Sequence, residues 1–63
     1  MAFRVKRTMA GFSQVEVAKI LGVSNTTVSM WEAGKSAPRA DMLPLIAKLY
    51  NCTVDELLEQ DTA

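Results

Sequence analysis

Three times in 63 residues the chain sets side by side a residue tolerant of left-handed backbone, an apolar residue and a hydroxyl. The copies are Gly11-Phe12-Ser13, Gly22-Val23-Ser24 and Asn51-Cys52-Thr53. Gly or Asn ends a helix in the left-handed conformation at little steric cost. A Ser or Thr two places later caps the next helix by accepting from its free N–H groups. The apolar residue between them takes the N′ position and staples onto the residue five places on, here Val17, Val28 and Leu57. Two copies also complete a capping box, Ser13 with Glu16 and Thr53 with Glu56. Such a chain folds as short helices joined by tight corners.

Five helices and no strands are predicted, over 3–10, 14–21, 25–33, 41–50 and 54–59, in one domain spanning 1–63. Gly11, Gly22, Gly34 and Asn51 each fall just past a helix end. Only the segment from Gly34 to Arg39, closed by Pro38-Arg39, reads as a true loop. In the fourth helix Leu43, Ile46, Ala47 and Tyr50 form one stripe, and Met42, Leu45 and Leu49 form an adjacent one. That arc is wider than one core face needs, so this helix is expected to be covered by several neighbours or to meet a second subunit. Pro44 is compatible with a helix only in its first turn, after a cap at Ala40 or Asp41.

Composition narrows the functional classes. There is no histidine and one cysteine, so a zinc set, an internal disulfide and a Cys–His or Ser–His pair are excluded. No catalytic residue, cofactor or metal is implied, and Cys52 reads as an apolar staple in a reduced, cytoplasmic protein. No apolar run approaches the roughly 20 residues of a membrane span. The formal net charge is zero but unevenly spread. Arg4, Lys6, Arg7, Lys19, Lys35 and Arg39 against Glu16 and Glu32 give residues 1–40 a net charge of +4. Lys48 against Asp41, Asp55, Glu56, Glu59 and Asp61 gives the remainder −4. A basic front and an acidic back orient a molecule toward a polyanion.

Residues 14–33, QVEVAKILGVSNTTVSMWEA, carry the functional signal. Ala18, four before Gly22, permits close approach of two helices, and Gly22 makes the sharp turn. Val28 and Trp31, three apart, bury the inner side of the second helix. Its opposite side presents Asn25, Thr26, Ser29 and Met30, short and uncharged. A helix face of that kind suits a reader of the DNA major groove. Asn25 has the donor and acceptor to bond adenine N6 and N7 together, and Thr26 or Met30 the methyl to meet thymine.

These residues resemble the phage-repressor helix-turn-helix family, to which lambda repressor and Cro belong. The resemblance runs from Phe3 to Glu59. It is most specific at Ser13-Gln14, Ala18, Leu21-Gly22-Val23-Ser24, Trp31-Glu32-Ala33-Gly34-Lys35, Pro38 and Val54-Asp55-Glu56-Leu57-Leu58. It implies a compact five-helix, lambda-repressor-like DNA-binding domain with the helix-turn-helix at the second and third helices. It further implies phosphate contacts from Gln14, Ser24, Lys35, Ser36 and Arg39, base reading by Asn25, Thr26, Ser29 and Met30, and a structural pair of Arg7 with Glu32. Lys6 departs from the family pattern, standing where an apolar core residue is usual, and Val15 and Ile20 stand where polar residues are common.

The expected function is a sequence-specific duplex-DNA-binding transcriptional regulator, a repressor acting as a homodimer on a palindromic operator. Leu45, Leu49, Val54 and Leu58 are the candidate dimer surface. The alternative is a protein-interaction module of the same fold, an antitoxin or adaptor that binds a protein partner through the fourth and fifth helices.

Overall fold

The computed structural model describes residues 1–59, and Asp61 of the acidic tail lies outside the described residues. The elements are α1 (Phe3–Met9), α2 (Gln14–Leu21), α3 (Asn25–Ala33), α4 (Leu43–Leu49) and α5 (Val54–Leu58). No strand occurs among the described residues. The five-helix expectation holds, with α2 and α3 at the predicted bounds.

Each corner closes by the same hydrogen bonding. The N–H groups of Phe12, Val23, Lys35 and Cys52 donate to the carbonyls of Arg7, Ala18, Met30 and Ala47, each five residues back. This is the six-to-one bond that accompanies a left-handed C′ residue. Gly22 takes φ 72, and Asn51 is the one non-glycine with positive φ, at 56, among the described residues. The chain then leaves three of these corners, all but that at Gly34, through a side-chain cap. Ser13, Ser24 and Thr53 accept from the N–H of Glu16, Thr27 and Glu56, and both predicted capping boxes form. The staple residues follow: Val17, Val28 and Leu57 are almost wholly buried, with Phe12, Val23 and Cys52 packed against the same core. Burial, then the Glu56 charge, pushes the Cys52 thiol above its ordinary pKa, as befits an unreactive packing residue.

Both box glutamates sit below their ordinary pKa of 4.5, held there by the backbone N–H and then the hydroxyl of Ser13 or Thr53. A lowered folded-state pKa contributes stability that is whole above the ordinary value and is lost as pH falls through the folded one. Ser13→Ala and Thr53→Ala are each expected to cost about 1 kcal/mol at neutral pH. Each substitution should also flatten the acid limb of stability, read as the urea midpoint against pH.

The fourth helix departs from expectation. It starts at Leu43, not residue 41, and its N-cap is Met42, not Ala40 or Asp41. No side chain caps it, and Pro44 lies in its first turn. The Met42 N–H donates instead to the Arg39 carbonyl at 2.9 Å, so a backbone turn performs the capping. Three other ends are a residue shorter than predicted, α1 closing at Met9, α4 at Leu49 and α5 at Leu58.

Ile46 and Ala47 of α4, and Tyr50 just past its end, are buried with Phe3, Ala18 and Trp31. The second stripe divides: Met42 and Leu49 are half-buried on the core, whereas Leu45 is 58% exposed. Lys6 keeps its stem partly buried and places its ammonium 3.6 Å from Glu56, tying α1 to α5. That arrangement accommodates a lysine at a position bordering the core. The Ala2 N–H donates to the Leu57 carbonyl at 2.9 Å, joining the same two elements.

Candidate nucleic-acid interface

The surface in question is built on the α2–α3 crossing, the most extensive helix pair of the fold. Ala18, buried on α2, lets α3 approach closely. Val28 and Trp31 anchor the inner side of α3 at 1% and 6% exposure. The Trp31 ring stands 6.4 Å from that of Phe3 at a tilt of 42°, a favourable aromatic arrangement. With that side fixed, the helical period turns Asn25, Thr26, Ser29 and Met30 outward, and all four are exposed. Together with Gln14, Ala33 and Lys35 they line one open hollow of about 480 Å³.

Among the described residues no acidic one lines this hollow. The first turn of α3 contains no acidic residue, whereas those of α2 and α5 contain Glu16 and the Asp55–Glu56 pair. The partial positive charge at the start of α3 is therefore uncompensated. Ser24 binds the Thr27 N–H at 3.1 Å and shares a 2.8 Å hydroxyl contact with Thr27. Lys35 is exposed on the rim and has no ion pair among the described residues. Ser36 is exposed as well but lines a different hollow, with Trp31, Gly34 and Ala37. Arg39 is exposed and lies 3.5 Å from Asp41. A pair so open to solvent holds weakly.

Glu32, the one carboxylate lining the neighbouring hollow, is neutralised from within. Its two oxygens accept from Nε and Nη2 of Arg7, the latter at 3.2 Å, and Oε1 also accepts from Gln14 Nε2 at 2.9 Å. Arg7 Nη1 donates to the Phe12 carbonyl at 2.8 Å. Only 12% of the Arg7 side chain and 5% of that of Glu32 remain exposed. The hydrogen bond to Glu32 raises the Arg7 pKa, overriding the opposing effect of burial. Tyr50 is pushed up to about 12 by burial and then by the Glu32 charge. The pair thus locks α1 to α3 and presents no net charge.

Sequence reasoning left two features unseen. The Gln14 amide, expected to face phosphate, is engaged with Glu32. Arg4 lines a hollow with Arg7, Gln14, Ser29, Glu32 and Ala33, and its spacing of three from Arg7 was the signal for that placement. The candidate dimer residues do not form one patch around a hollow. Leu45 and Leu49 line an apolar one with Ile20, Leu21 and Lys48, while Val54 packs against the core and Leu58 is 43% exposed.

The chain is 42% identical over 52 residues to the HTH-type transcriptional activator BcrR of Enterococcus faecalis, covering 82% of this chain and 26% of that protein. It is 33% identical over 58 residues to Repressor protein C2 of Salmonella phage P22, covering 92% and 27% respectively. It is 36% identical over 55 residues to the HTH-type transcriptional regulator ImmR of Bacillus subtilis, covering 87% and 43%. The chain therefore spans between a quarter and less than half of the length of these curated relatives. No solved structure gives a significant match. The family model described as Helix-turn-helix matches residues 3–57, almost the whole described chain, and with the phage repressor among its relatives the chain belongs to the phage-repressor-type helix-turn-helix family.

Proposed function

We infer that residues 1–63 act as one unit, a sequence-specific duplex-DNA-binding transcriptional regulator of the cytoplasm. The observation that carries this reading is α3 itself. Its short polar edge is open to solvent while Val28 and Trp31 hold the reverse side. In this reading α3 enters the major groove and α2 crosses the backbone. Asn25, Thr26, Ser29 and Met30 meet base edges. Ser24, Lys35, Ser36, Arg39 and the α2 N-terminus at Gln14 hold phosphates. A single domain of this size offers a small interface, so tight binding requires two copies on half-sites about one helical turn apart. A palindromic operator follows from that symmetry, and Leu45, Leu49, Val54 and Leu58 are the proposed dimer surface. Occupying such a site blocks polymerase, which favours repression.

Selection from random duplexes should recover a two-fold symmetric motif. The logarithm of the binding constant should fall linearly with that of salt, at a slope of about −0.9 per phosphate neutralised. Asn25→Ala is expected to weaken the selected site by about tenfold per half-site and to relax preference at one base pair, without changing the salt slope. A salt slope near zero, together with an inert Asn25→Ala, would point instead to the protein-interaction reading. The apolar hollow of about 340 Å³ lined by Ile20, Leu21, Leu45 and Leu49 is what favours that alternative.

A further inference from the structure

We propose that Arg4 is a phosphate-gripping residue of the DNA interface, holding the backbone that runs along the α1–α2 side of α3. The proposal rests on the DNA-binding reading above and adds a contact that reading lacks. A helix in the major groove has a phosphate backbone on each wall. Lys35 stands on the rim of the hollow formed by the outward face of α3. Toward α1 the available side chains are Arg7, Gln14 and Arg4. Arg7 has three of its nitrogens bonded to Glu32 and Phe12, and Gln14 Nε2 donates to Glu32. Both side chains are engaged by other groups of the protein.

Arg4 differs. It is exposed, and its guanidinium has no hydrogen bond or ion pair among the described residues. Its potential partner is already taken. Glu32, in the same hollow, has both oxygens occupied by Arg7 and Gln14. The hollow beside Arg4 shares Gln14, Ser29 and Ala33 with the hollow on the outward face of α3. The two are therefore adjacent, and a duplex seated over Ser29 brings phosphate past Arg4. A guanidinium suits such an oxyanion because it donates two parallel N–H bonds.

The test compares wild type, Arg4→Gln and Arg4→Lys. Binding is measured by fluorescence anisotropy across a salt series. The probes are the selected duplex and a mixed-sequence duplex of about two helical turns, ~20 base pairs. Arg4→Gln should weaken both duplexes to the same degree, by about tenfold at low salt, and make the slope shallower by about 0.9 per protomer. Arg4→Lys should restore the slope, and the melting temperature should match wild type in both variants. A wild-type slope and affinity retained in Arg4→Gln overturns the Arg4 assignment and leaves the DNA reading intact. A change confined to preference at one base pair also overturns it, because a phosphate contact carries no sequence information. Absence of salt-dependent binding in the wild type removes the DNA reading, and Arg4 falls with it.

Discussion

Glu32→Ala is expected to lose about 2–3 kcal/mol of stability, because removing one member of a largely enclosed, hydrogen-bonded ion pair leaves the other without its partner. The stranded group is the Arg7 guanidinium, whose side chain is only 12% exposed and retains the Phe12 carbonyl alone as partner. Gln14 Nε2 loses its acceptor in the same step. A chain of this length has a total stability of ~3–9 kcal/mol, so the loss is a large share of it and the urea midpoint should fall markedly. The double variant Arg7→Met/Glu32→Leu should recover most of the loss, since both charges leave together. Urea denaturation of Arg7→Met, Glu32→Leu and the double variant gives the coupling energy. A single-variant loss below about 1 kcal/mol would mean the pair behaves as an exposed one.

That pair also illustrates where the sequence is transparent and where it is not. The corners were legible because each requires a particular residue type at each step. A left-handed terminator, an apolar staple and a hydroxyl cap leave few other readings, and α2 and α3 begin and end where those residues stand. The outward placement of Asn25, Thr26, Ser29 and Met30 followed from helical period once Val28 and Trp31 were assigned to the core. Helix α4 was harder because no side chain caps it: a turn through the Arg39 carbonyl does so, and backbone turns leave no residue signature. Its wide apolar arc also mixed two roles, with Leu49 on the core and Leu45 exposed. Contacts across helices were opaque for a different reason. Whether the Gln14 amide turns outward or toward Glu32 depends on how α2 crosses α3, which residue spacing along one helix does not encode. Arg7 with Glu32 was reached through family resemblance, 25 residues apart in the chain. Arg4 read as one surface cation among several until the fold set it beside Ser29.

The corner at Gly22 offers the second large effect, and it separates backbone strain from crowding. Gly22 sits at φ 72, and a Cβ built there meets nothing within 4 Å. Any cost of substitution therefore arises from the conformation itself. Gly22→Val is expected to lose about 2–3 kcal/mol, since a β-branched residue is strained in the left-handed region. Gly22→Asn should lose far less, because Asn tolerates that region and Asn51 already occupies it at φ 56 in the same chain. The urea midpoint should fall in that order with an unchanged slope, which marks a change in stability and not in the surface exposed. DNA affinity supplies the second readout. Corrected for the folded fraction, Gly22→Asn should bind as wild type, because the left-handed turn that sets α3 against α2 is preserved. Equal midpoints for the two variants would show that the turn tolerates another backbone conformation. In that case the left-handed turn at Gly22 is not what holds α3 in position for the groove.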